Sequence, residues 1–107
     1  SIVGTVKVLS AAVPPLLRHN VTFKKVNGNC DLVISGAYIA EVIGGGAAST
    51  QGEIQRGDTI LSVNGVNVEN LSHSKILSHS KIVTLLKESP NIVKLEVRKN
   101  YEPFEEL

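Results

Sequence analysis

The sequence predicts a small α+β domain, and three stretches carry that prediction. In the first, Asp58-Thr59-Ile60-Leu61-Ser62-Val63 is a run of mostly strand-forming residues that meets Asn64-Gly65 and resumes as Val66-Asn67-Val68. Asn-Gly tolerates the two positive φ angles of a tight hairpin turn better than other dipeptides. In the second, Val93, Leu95 and Val97 alternate with Lys94, Glu96 and Arg98, the period-2 pattern of a strand with one buried face. The third, Ser78 to Ser89, reads as the main helix. Ser78 is placed to cap it, Ile82, Val83, Leu85 and Leu86 form a broad apolar face, and Pro90 follows its end.

The remaining elements fall into place in chain order. Ile2 to Leu9 alternates loosely and reads as a strand, and Pro14-Pro15 favours extended backbone, so residues 1–20 form an N-terminal extension, a flanking strand or linker. Val21 to Val26 is a strand with Val21 and Phe23 on one face and Thr22 and Lys24 on the other, ending in an Asn27-Gly28-Asn29 turn. Leu32 to Ser35 and Tyr38 to Val42 are short β-prone runs separated only by Gly36-Ala37, a tight hairpin. Gly44-Gly45-Gly46 is a joint, and Ala47-Ala48-Ser49 has room for only a short helix before Gly52. Tyr101 to Leu107 is an acidic tail.

The length of 107 residues suits one domain with a sizeable core. With no Trp, no Met and few aromatic residues, that core is aliphatic. A net charge of +1 gives no field that would draw the chain to nucleic acid or to an acidic membrane. No apolar run reaches the roughly 18 residues of a membrane span, and no secretory signal segment opens the chain. The single cysteine, Cys30, has no internal disulfide partner, which suits a reducing compartment.

One hexapeptide occurs twice in succession, Leu71-Ser72-His73-Ser74-Lys75-Ile76 and Leu77-Ser78-His79-Ser80-Lys81-Ile82. Six residues rotate a helix by about 600°, a net 240°, so two copies in one helix present different faces. The face of Ile82, Val83 and Leu86 extends poorly backwards through His79 and Ser80. The second copy is therefore expected to begin the helix, with the first looped out or forming a separate turn. The competing expectation is one helix lengthened by almost two turns.

Arg56-Gly57-Asp58 followed by Ile60-Leu61-Ser62-Val63-Asn64-Gly65 resembles the signature of PDZ domains. Tyr38-Ile39-Ala40-Glu41-Val42, Gly45-Gly46-Ala47-Ala48, the His-led helix and the last strand extend the resemblance over residues 21–98, in the strand order of the animal-type domains. The resemblance implies a partly open β-barrel or sandwich of five to six strands with one short and one longer helix. It also implies a function, strand addition: a partner's extended C-terminus pairs with an exposed strand edge, and backbone amides in a tight loop hold its carboxylate.

Carried onto this sequence, the resemblance makes Leu32, Val33, Ile34 and Ser35 the receiving strand and the helix from Ser78 the opposite wall. Leu32, Ile34, Val83 and Leu86 would line the pocket for the partner's last, apolar side chain, although plain core positions show the same periodicity. His79 corresponds to the groove histidine of PDZ domains that favour Ser or Thr two residues before the partner's end, with His73 as the alternative. The carboxylate loop departs from the usual Gly-Leu-Gly-Phe: here it is Asn29-Cys30-Asp31-Leu32. Asp31 sets an anion beside a site for an anion. Lys24 or Lys25 stands close enough in sequence to offset it, and Cys30 is expected to be a small wall residue rather than a reactive thiol.

Enzyme chemistry finds no footing. Nothing resembles a strained nucleophile turn, three His and one Cys lack metal-ligand spacing, and Gly44-Gly45-Gly46 lacks the Lys-Ser/Thr of a phosphate loop, so no cofactor or metal is expected. Two functions follow from the resemblance. One is a cytoplasmic scaffold or adaptor module binding Ser/Thr-x-hydrophobic C-termini of membrane receptors, channels or cortical proteins, at the inner face of the plasma membrane or cell junctions. The other is a PDZ fold with a weak or closed groove, used for dimerisation, internal-segment binding or interdomain contact. The acidic end, Glu105-Glu106-Leu107, carries the minimum such a groove requires, so weak self-association through the tail is a further expectation.

Overall fold

The computed structural model describes residues 17–101. The expected strand at Ile2 to Leu9 and the tail beyond Tyr101 lie outside these residues. The strands are β1 (Arg18–Lys24), β2 (Leu32–Ser35), β3 (Tyr38–Val42), β4 (Thr59–Val63), β5 (Val66–Asn67) and β6 (Ile92–Arg98); the helices are α1 (Ala47–Gln51) and α2 (Lys75–Glu88). They form one antiparallel sheet in the order β1-β6-β4-β3-β2, with β5 on β4. The α+β class expected from the sequence is therefore correct, and the sheet is open at β2.

Alternation explains the core. Val93, Leu95 and Val97 of β6 are buried on one face against Val21 and Phe23 of β1 and Ile60 and Val63 of β4. The Asn64-Gly65 turn takes the paired positive φ angles, 48° and 85°, that its residues permit. It is also tied to β6, since Lys94 N–H donates to Asn64 Oδ1 at 2.8 Å. α1 ends at Gly52, as its sequence suggests. β1 begins at Arg18, three residues before the strand expected from Val21, and so takes in the end of the expected 1–20 extension. Arg18 pins that start by donating to Glu69 and, at 3.1 Å, to Glu96.

Where α2 begins differs from expectation. Its N-cap is Ser74, in the first copy of the repeat, not Ser78. Ser74 has extended backbone, and its Oγ accepts from Leu77 N–H at 3.1 Å, satisfying one of the helix's free amides. Ser78 lies one turn inside, buried, its Oγ donating to the Ser74 carbonyl at 2.8 Å. The first copy is thus divided. Leu71 closes a single 3-10 turn (Glu69–Leu71), Ser72 and His73 form a bend, and Lys75 and Ile76 open the helix. The helix gains about one turn, neither none nor almost two.

The last segment described is held from within. Asp58 is completely buried and accepts from Lys99 Nζ at 2.5 Å, Asn100 N–H at 3.0 Å and Gln55 N–H at 3.0 Å. This fixes the chain beyond β6 against the start of β4.

Candidate functional site: a groove between β2 and α2

β2 ends the sheet. Among the described strands only β3 pairs with it, which leaves its second edge facing α2. α2 presents Lys75, His79, Val83 and Lys87 along this side at four-residue spacing, the interval that stacks side chains on one helix face. Its Ser78, Ile82 and Leu86 face the core.

The lower groove is a cavity of about 340 Å³ that brings together Cys30, Asp31, Leu32, Ile34, Val83 and Leu86 with Lys25, Ile43 and Lys87. Its floor is apolar, with Leu32 and Ile34 packed on the core cluster. The loop at its end has backbone directions suited to an anion. The carbonyls of Cys30 and Asp31 turn away, accepting from Ala48 N–H at 3.3 Å and Ile43 N–H at 3.1 Å. Among the described residues, neither the Cys30 nor the Asp31 amide donates to another protein group. Asp31 holds a left-handed φ of 61°, the conformation for which glycine is the usual residue. Its side chain packs against Gly46.

Two lysines set the charge here. Lys25 is buried, and its Nζ donates to the Ser89 carbonyl at 2.8 Å, where the carbonyl ends of α2 favour a cation. Lys87 lines the same cavity from the last turn of α2. Burial pushes the Cys30 thiol above its ordinary pKa; the nearby Lys25 ammonium opposes the rise and Asp31 adds to it.

The upper groove is a second cavity, of about 370 Å³, lined by Ile34, Ser35 and Gly36 on one side and Lys75, Ile76, His79 and Ser80 on the other. Ile34 is common to both cavities, so the two form one continuous trough. His79 faces it from the second turn of α2.

Three residues named from the sequence lie elsewhere. Lys24 is exposed on β1 and does not reach the trough; Lys25 takes that place because it falls in phase with the buried Val21 and Phe23. Val33 points to the opposite face from Leu32 and Ile34, as strand alternation requires, and is 41% exposed. His73 sits in the bend before the helix, its Nδ1 3.1 Å from the Asn70 carbonyl, because the helix starts two residues after it. Conversely, sequence reasoning missed Lys87, Ile43 and Gly28, whereas Asn29 lines the cavity as a residue of the expected loop. Lys87 was within reach, since it falls four residues after Val83 on the same helix face.

A family model described as PDZ domain matches residues 21–98. Protein lin-7 homolog B of Mus musculus is 47% identical over 73 residues, covering 68% of this chain and 32% of that protein. The same protein of Homo sapiens is 45% identical over 73 residues, again 68% of this chain and 32% of that protein, and that of Bos taurus is 45% identical with 33% coverage. The match spans about a third of the length of these relatives. With an open-edged β2, a helix beside it and a loop of free amides at the trough's end, the chain belongs to the PDZ domain family of protein-interaction modules.

Proposed function

We propose that the trough receives the C-terminus of a partner protein as an added strand on β2, and that it prefers Ser/Thr-x-hydrophobic ends. The observation that carries this reading is the unpaired edge of β2, which runs into the free Cys30 and Asp31 amides beside an apolar cavity. Main-chain bonding along that edge supplies attachment and the pockets supply choice. The terminal carboxylate takes the loop amides, with Lys25 and Lys87 offsetting Asp31. The last side chain takes the cavity of Leu32, Ile34, Val83 and Leu86. A hydroxyl two residues upstream reaches His79, which stands one helical turn before Val83.

The open trough favours this reading over a closed groove used for dimerisation or interdomain contact. Residues 21–98 carry the trough, within a folded unit that β1 extends back to Arg18 and Asp58 extends on to Asn100. Suitable partners are the cytoplasmic tails of membrane receptors, channels or cortical proteins, and this places the scaffold at the inner face of the membrane or at junctions. Among the described residues no helix is long and apolar enough to cross a membrane. Binding of nucleic acid is not part of this function. The test is titration with peptides ending Thr-x-Val, each with a free or an amidated C-terminus. Binding of the free form at least about tenfold tighter, a difference near 1.4 kcal/mol, supports the proposal; equal affinities overturn it.

A further inference from the structure

The extra turn of α2 lines the upper groove beyond His79, the part that a three-residue Ser/Thr-x-hydrophobic end does not reach. Its first two residues, Lys75 and Ile76, come from the first copy of the hexapeptide. The twin of Ile76 in the second copy, Ile82, is fully buried, whereas Ile76 is 81% exposed. The net 240° rotation between the copies is the cause. Ile76 therefore contributes nothing to the core, yet it walls the upper cavity opposite Ile34, Ser35 and Gly36. The Lys75 stem closes that wall from the other side. A Cβ placed on Gly36 would stand 2.7 Å from Lys75 Cγ.

The spacing fixes which part of a ligand would arrive there. One helical turn of four residues advances about 6 Å, and two residues of an extended strand advance about 6.6 Å. The ladder Val83, His79, Lys75 along α2 therefore keeps step with every second residue of a strand lying on β2. If the last side chain lies by Val83 and the second-last of the same face by His79, the next of that face lies by Lys75 and Ile76. We infer that the repeat builds a third subsite, made by Ile76, the Lys75 stem, Ile34 and Gly36, which selects an apolar side chain four residues before the partner's C-terminus.

This inference rests on reading the trough as a C-terminal peptide site, and the experiment separates the two. Fluorescent peptides ending Thr-x-Val, with Leu or Ser four residues before the end and with free or amidated termini, are titrated against the unaltered domain and Ile76→Ser. The Leu peptide is expected to bind the unaltered domain about fivefold tighter than the Ser peptide, as partial burial of one apolar side chain gives. Ile76→Ser should abolish that ratio. Because Ile76 is exposed, the substitution leaves the core intact, which thermal unfolding verifies. A Leu-to-Ser ratio near one in the unaltered domain, or one that survives Ile76→Ser, overturns the subsite while the free-over-amidated preference stands. Loss of that preference overturns the peptide reading and the subsite with it.

Discussion

Gly46 and Asp31 are packed so closely that a Cβ on Gly46 would lie 2.3 Å from Asp31 Cβ and 2.8 Å from its Cγ. Gly46 itself has φ −85° and ψ −177°, a conformation open to any residue. A side chain is excluded there by contact alone. Since Cβ is fixed to the backbone, Asp31 cannot swing away as the end of a long side chain would. Gly46→Ala is expected to destabilise the domain by about 1–3 kcal/mol, the usual cost of overpacking. In an Asp31→Gly background the obstructing side chain is gone, and the same substitution should cost less than half as much. Denaturant unfolding of the four proteins in this double-mutant cycle measures the coupling; additive effects would contradict the contact.

Asp31→Gly should also change binding. It removes an anion from the cavity wall and restores the residue that a left-handed φ favours. Two unit charges about 4 Å apart interact by ~1 kcal/mol in water and by ~4 kcal/mol at an effective dielectric near 20. With Lys25 and Lys87 already opposing Asp31, a gain of about 1 kcal/mol is expected for free-carboxylate peptides. Added salt should shrink it, and amidated peptides should show none. Isothermal titration at two ionic strengths reads both. A gain that ignores salt would assign the effect to backbone freedom rather than charge.

His79 and His73 make an internal control. They occupy the same place in the two copies of the repeat, but His79 faces the trough and His73 the bend outside it. His79→Ala should remove the preference for Ser or Thr two residues before a peptide's end by roughly 1–3 kcal/mol, the cost of an unpaired buried polar group. His73→Ala should leave the peptide profile unchanged. A peptide series varied at that single position distinguishes them.

The part of the fold that was legible in the sequence is the part where period and turn chemistry agree. The β2–β3 hairpin, the Asn64-Gly65 turn and the alternation of β6 each had two independent signals. The start of α2 did not, because the two copies offer four serines, Ser72, Ser74, Ser78 and Ser80, as caps. The choice between Ser74 and Ser78 turns on burial. Ser78 lies against the core in line with Ile82 and Leu86, a relation that local sequence does not display. The apolar half of the trough was legible because its walls are also core. Its charged half was not. Lys25 rather than Lys24 enters the cavity because alternation carries the inward face of Val21 and Phe23 on to Lys25, but a lysine on an apolar face is not a position that its residue type suggests.

The capping assignment is open to direct measurement. Ser74→Ala should lower stability by about 0.5–2 kcal/mol, the usual cost of losing a cap. It should also speed hydrogen exchange at Leu77 N–H, which loses its acceptor. Ser78→Ala should cost less, because the Ser74 carbonyl that its Oγ serves also accepts from Ser78 N–H at 3.0 Å. If Ser78→Ala proved the costlier of the two in denaturant unfolding, the helix would begin at the second copy.

Cys30 gives a pH dependence whose sign follows from its surroundings. Burial favours the neutral thiol and raises its pKa, more than the Lys25 ammonium lowers it. In the unfolded chain the thiol ionises in its ordinary range, about 8.5. The folded state thus holds a proton that the unfolded state has released, and stability falls as pH rises through that range until the folded thiol also ionises. Cys30→Ala should remove this part of the decline, so that its unfolding midpoint varies less with pH above about 8 than that of the unaltered domain. Alkylation supplies the kinetic counterpart. Because the thiolate is the nucleophile, iodoacetamide at pH 8 should modify Cys30 more slowly than a free cysteine. Asp31→Asn should speed the reaction by removing an anion that disfavours the thiolate, and Lys25→Met should slow it. Faster modification in Lys25→Met would mean that the lysine shields the sulfur sterically, and that its charge does not govern the thiol.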